Sequence, residues 1–144
     1  MATPKQFAAR LRAIAKGIPE KIEEGFRKVA LIIDQKVVLA TPVDTGRARS
    51  NWIVSLNKPV TQTIEARVPG TDGSSGGANA QAAIQQGRAA VAGFKRGQTI
   101  WIVNSLPYIG ELNRGTSAQA PANFVEIAVR AGIAEARRIR ILTS

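Results

Sequence analysis

The chain has 144 residues, of which 44% are apolar but only 5% aromatic, so the sequence predicts one core built mainly from aliphatic side chains. It has no cysteine and no histidine, which excludes disulfides, thiolate chemistry, zinc sites built from those residues and catalysis by a histidine base. Lys and Arg number 20 against 10 Asp and Glu, and a net charge of +10 points to a polyanion or an acidic partner.

Apolar residues at Phe7, Leu11, Ile14, Ile18, Ile22, Phe26, Val29, Ile33 and Val37 step by three or four, which predicts helix from the start of the chain. Thr3 and Pro4 suit an N-cap and first turn. Gly17 and Pro19 break the pattern, so either a kink or a second helix opening at Pro19 is expected. Glu20, Glu23 and Glu24 would then lie where the helix dipole favours negative charge. Glu23 and Glu24, beside Lys21, Arg27 and Lys28, read as a solvated face with ion pairs one turn apart. That helix should end near Ala40, because Thr41 precedes Pro42. The opening MATPKQF is not followed by an uninterrupted apolar run, so no signal peptide is expected there. No apolar stretch approaches the length of a membrane span.

Residues 41–49, TPVDTGRAR, read as a compact turn in which Gly46 takes a positive φ. Residues 51–57 alternate around Trp52, Val54 and Leu56, and residues 63–68 around Ile64, Ala66 and Val68, which predicts an antiparallel strand pair. Residues 69–79 have the composition of a flexible loop, and residues 80–94 are rich in Ala and Gln with a weak apolar face. Together, residues 69–97 are expected to form a flexible insertion or projecting arm of a single domain spanning 1–144. Residues 99–103, TIWIV, are apolar on both faces and predict the central strand. A turn at 104–107, a short helix at 108–113 ended by Arg114 and Gly115, and a loop at 116–123 follow. A C-terminal helix over 122–142 carries Phe124, Ile127, Ala128, Ala131, Ile133 and Ile139 near one side, with Arg130, Arg137, Arg138 and Arg140. The fold class is therefore α+β: a small, mostly antiparallel sheet packed against a long N-terminal helix and a C-terminal helix.

Enzyme signatures are absent. The Gly-rich stretch 70–77 lacks the Lys-Ser/Thr ending of a phosphate loop, a serine nucleophile would find no histidine, and Asp44, Asp72, Glu65 and Glu111 are widely separated. No spacing suggests a metal or cofactor site. No helix-turn-helix or ribonucleoprotein motif appears, so sequence-specific recognition of nucleic acid is not expected, whereas contact with phosphates remains open. Trp52 and Trp101 are expected to pack in the core.

Two segments carry a resemblance. TPVDTGRARSNW at 41–52, after a long helix, and VNSLPYIGELNRGTSAQAPA at 103–122, before a C-terminal helix, resemble the tail-completion, minor-tail-component or neck proteins of tailed bacteriophages. The likeness extends from about residue 20 to the end. Asn113 and Arg114 stand where the family pattern often has an acidic residue. The resemblance implies a virion structural protein made in the host cytoplasm. It implies a homo-oligomeric ring, commonly a hexamer, that joins the tail tube or terminator to the head connector around the genomic DNA. Asp44 would then fix the corner after the helix, or simply form a local Asx turn. Arg47 and Arg49 would meet a neighbouring subunit, face the channel or remain merely exposed. Tyr108 would be a core-edge anchor or a contact residue, and Arg114 a subunit or channel contact. The alternative reading is a free basic protein that binds DNA without sequence preference or assists packaging.

Overall fold

Helix α1, Glu20–Ala40, starts directly after Pro19 and stops two residues before Pro42, as the proline spacing predicts. It belongs to a computed structural model that describes residues 7–12, 20–43, 46–70, 73–115 and 119–139. The inward stripe of α1 carries Val29, Ala30, Ile33, Val37 and Val38, all buried. The remaining elements are strand β1 (Phe7–Arg12), helix α2 (Arg47–Ser50), strand β2 (Trp52–Leu56), helix α3 (Gly76–Ala92), strand β3 (Thr99–Asn104), helix α4 (Ile109–Asn113) and helix α5 (Phe124–Arg138). The class is α+β, as expected.

β3 is the central strand. The sheet order is β1-β3-β2 and both pairings are antiparallel, with Ile102 opposite Ala9 on one side and Val54 on the other. Ile100, Ile102, Trp52 and Val54 alternate into the core and are almost wholly buried. Val103 and Ile53, on the opposite face, are buried too, which is why the run reads as apolar throughout.

α1 packs on this sheet, and α3 packs on both α1 and β2. α5 packs along α1, where Gly132 permits close approach: a Cβ there would lie 2.9 Å from Ile33 Cγ1 and 3.2 Å from its Cα. Lys36 of α1 pairs with Glu135 of α5 at 3.2 Å.

Several sequence expectations are corrected. Residues 7–12 form a strand rather than the start of a helix. A spacing of four, as from Phe7 to Leu11, is one helical turn and also an even number of strand positions, so periodicity over six residues does not separate the two. The Thr3–Pro4 cap lies outside the described residues. The 41–49 turn contains a short helix, α2, after Gly46, whose φ of +86° is the positive value expected.

Residues 63–68 form no strand with β2. Their backbone is held by side-chain amides instead. Asn51 donates to Ile64 O at 2.8 Å and accepts from Ile64 N at 2.8 Å. Asn79 does the same at Val68, donating at 2.7 Å and accepting at 2.8 Å. The free edge of β2 is closed in the same way, because Gln86 of α3 donates to Val54 O at 2.8 Å and accepts from Val54 N at 3.0 Å. An edge strand covered like this no longer offers itself for pairing.

The projecting arm is also overturned for the helix it contains. Ala80, Ala83, Ile84 and Val91 of α3, with Phe94 after it, are buried members of the core. Phe94 stacks on Phe26 of α1 with ring centroids 6.1 Å apart, and its carbonyl accepts from Arg27 Nη2 at 2.7 Å. The small buried residues Ala80, Ala83 and Gly87 let α3 sit close to α1, so a stripe that looks weak by side-chain size is an effective packing surface. Glu24 pairs with Lys28 on the exposed face as expected, but Glu23 turns inward and accepts from the Arg96 backbone at 2.8 Å.

Candidate functional site: where the two motif segments meet

The segments 41–52 and 103–122 are distant in the chain and adjacent in the fold. Gln119 donates to Val43 O at 2.7 Å and accepts from Val43 N at 2.8 Å. Asn104, fully buried at the end of β3, donates to Ala48 O of α2 at 2.8 Å. Trp52, 1% exposed, donates through its indole N–H to Thr41 Oγ1 at 2.7 Å, and that hydroxyl donates to Val37 O at 2.6 Å. The motif therefore ties the end of α1 to α2, β2 and β3 by polar contacts that a slip of one residue would break.

The sequence-predicted residues take different roles within this junction. Arg49 is turned inward. Its guanidinium donates to Leu39 O, Thr41 O and Gly76 O at 3.0 to 3.1 Å, so it closes the carbonyl end of α1 and ties it to the start of α3. Burial lowers its pKa from the usual arginine value. Arg47 Nε donates to Ile64 O at 3.1 Å and meets Glu65 Oε2 at 3.1 Å. Tyr108 stands at the N-cap of α4 and is 38% exposed. Tyr108 and Arg47 line one open cleft of about 450 Å³ with Glu65, Ala66, Pro69 and Gly70. Arg114 is exposed at the end of α4 and donates to Gly110 O at 3.4 Å. Asp44 lies outside the described residues. The structure thus brings Arg47 and Tyr108 together and leaves Arg49 and Arg114 in separate places. Trp101 is only half-buried, and its indole donates to Asn57 O at 3.0 Å.

Asn113, which stands at the family's often acidic position, has a definite task. It is 4% exposed, accepts from Val125 N at 2.9 Å and donates to both carboxylate oxygens of Glu126 at 3.1 Å. It thereby satisfies a free N–H in the first turn of α5 and fixes the carboxylate there.

The buried amides were not singled out by sequence reasoning. Asn79 is fully buried and, besides its clamp on Val68, accepts from Ser50 Oγ at 2.7 Å and donates to Ser75 O at 3.0 Å. A Cβ at Gly46 would overlap the Asn79 amide nitrogen. The positive φ of Gly46 adds strain to any L side chain. Gly46→Ala is accordingly expected to cost about 3 kcal/mol, from backbone strain plus displaced Asn79 hydrogen bonds, read as a lower urea midpoint. An unchanged midpoint would show that the junction tolerates a shift of α2.

Among the described residues no cluster of three or more acidic groups could hold a metal, and no helix is long and apolar enough to cross a membrane.

Comparison with known proteins completes the picture. Residues 5–92 match the family model described as "Bacteriophage HK97-gp10, putative tail-component". The chain belongs to this family. No curated protein and no solved structure matches it. The matched stretch runs from the β1 region through the last residue of α3, so it includes the first motif segment, all of α1 and the α3 packing surface. The second motif segment lies beyond it and is joined to it by the Gln119 and Asn104 contacts. A bacteriophage tail component is a virion structural protein, and that class accords with a role that is not catalytic.

Proposed function

We propose that the chain is a ring-forming subunit at the head-proximal end of the tail, where it joins the tail tube or terminator to the head connector and surrounds the DNA path. The observation that carries this reading is the family match together with the fold of its motif. The motif residues are spent on holding α1, α2, β2 and β3 in one rigid junction, and the open cleft beside them presents Tyr108 and an Arg47–Glu65 ion pair at the surface. Such a construction suits mutual grip between proteins. The net charge of +10 suits passage beside DNA or contact with acidic neighbours.

Particles made without the protein test the reading. Electron microscopy is expected to show filled heads and separate tails that fail to join, with infectivity restored by supplying the protein in trans. Intact infectious particles lacking it would end the proposal. Tight binding of free duplex DNA, falling steeply with salt, together with normal joining in its absence, would favour the DNA-binding alternative.

A further inference from the structure

After β2 the chain turns back as an extended run with one side unused. Asn57 takes a positive φ of 69°, Lys58 N–H donates to Leu56 O at 2.8 Å, and residues 59–66 continue without turn or bend. Ile64 comes level with Asn51, whose amide bonds both its N–H and its C=O. The run is therefore antiparallel to β2, with the Asn51 amide spanning the gap. In extended chain the N–H and C=O of one residue point to one side, and those of its neighbours to the other. Ile64 points inward, so Thr61, Thr63 and Glu65 point outward. All three are exposed, and among the described residues none of their backbone groups has a partner. The ion pair of Glu65 with Arg47 uses its side chain alone.

The far edge of the same layer is open too. Gln86 bonds Val54 N–H and C=O, so these point away from β3. The groups of Ile102, opposite Val54, must then point toward β1, where Ile102 is level with Ala9. Hence Phe7, Ala9 and Leu11 bond β3, while Ala8, Arg10 and Arg12 direct their backbone groups outward. Among the described residues β1 pairs with β3 alone.

The two rows match in number, three N–H and three C=O groups each. They also match in direction. β1, β3, β2 and the 59–66 run alternate in direction across the layer. A second copy in the same orientation thus sets its β1 antiparallel to 59–66, the relation that neighbours already have within the sheet. Only another extended chain can satisfy such a row. The rows stand at opposite edges of one subunit, so they cannot meet within it. They can meet between two.

We infer that residues 61–65 pair with β1 of the next copy of this chain, Thr61, Thr63 and Glu65 meeting Arg12, Arg10 and Ala8. The contact joins two different edges, so repetition carries one sheet around a ring rather than stopping at a two-fold dimer. This inference rests on the ring reading proposed above and names its interface.

The chain has no native cysteine, which makes the test direct. Arg10→Cys and Thr63→Cys place one thiol on each edge. In joined particles, a short bis-maleimide linker is expected to convert the double variant into a ladder of covalent multimers, whereas either single variant gives no ladder. A second arm removes backbone donors. Thr61→Pro with Thr63→Pro deletes two outward N–H groups, keeps an extended chain and leaves the inward Ile64 clamp in place. It should reduce the yield of joined particles about a hundredfold while the subunit still melts cooperatively. Thr61→Val with Thr63→Val keeps both N–H groups and should join like the parent. Joined particles that contain the double-cysteine protein without any ladder, or folded proline variants that join normally, overturn the interface and leave the ring reading standing. A covalent dimer from Arg10→Cys alone overturns it too, because β1 would then pair with itself about a two-fold axis. Particles that join with no copy of the chain present overturn the ring reading itself.

Discussion

Asp34→Asn is expected to stabilise the protein by about 4 kcal/mol at pH 7 and by almost nothing at pH 4. Asp34 lies on the inward stripe of α1 and is 0% exposed. Among the described residues neither of its carboxylate oxygens has a hydrogen-bond partner. It faces Gly87 of α3, where a Cβ would come 2.5 Å from Oδ2 and 3.1 Å from Val54 Cγ2. Burial pushes its pKa up to about 8 from 3.8, and the Arg67 guanidinium opposes the rise only in part. Arg67 pays for the same burial with a lowered pKa, offset in part by Asp34, and its Nε donates to Ser50 O at 3.2 Å.

The sign follows from proton binding. The unfolded carboxyl loses its proton near pH 4, and the folded one keeps it up to about pH 8. Between those values the native state binds more protons, so stability falls as pH rises and levels off above pH 8. Asparagine keeps the shape of the protonated acid and does not titrate. Urea melts of both proteins at several pH values from 4 to 8 check this. The gap should open steadily with pH. A constant gap, or a variant less stable at pH 7.5, would show that Asp34 is ionised and satisfied.

Asp34 also shows what a sequence pattern hides. It sits four residues from both Ala30 and Val38, on the apolar stripe, so its inward position was legible. Its lack of a partner was not, because that depends on Gly87 and Val54 from other elements. The same division runs through the fold. α1, β2, β3, α4 and most of α5 follow from local periodicity and proline or glycine punctuation. β1 does not, because a six-residue run is decided by the open edge of β3 rather than by its own spacing. The 63–68 segment reads as a strand by alternation, yet Asn51 and Asn79 supply the hydrogen bonds that a neighbouring strand would have given. At the candidate site, the two motif segments were recognisable, but Arg49 and Arg47 look equivalent in RAR. Only the positions of the α1 carbonyls send Arg49 inward and leave Arg47 at the cleft.

Deleting residues 71–96 is expected to abolish folding. Composition alone argues the reverse, since this stretch is rich in Ala, Gly and Gln and has few large apolar residues. Its loss would take Ala80, Ala83, Ile84, Val91 and Phe94 out of the core. Phe94 is fully buried against Phe26, and truncating such a ring to alanine costs about 3–5 kcal/mol by itself. The polar losses add to this. Val54 would lose Gln86 at the edge of β2, Val68 and Ser50 would lose Asn79, and Arg27 and Glu23 would lose partners around Phe94 and Arg96. Domains of this size have a net stability of about 5–15 kcal/mol, which the combined losses exceed. The deletion variant should show no cooperative thermal transition and poorly dispersed amide NMR signals. Phe94→Ala alone should remain folded with a clearly lower urea midpoint, and exposed Arg88→Ala should match the parent protein. A deletion variant that melts cooperatively would mean that α1, the sheet and α5 suffice as a core. α3 would then be an appendage after all.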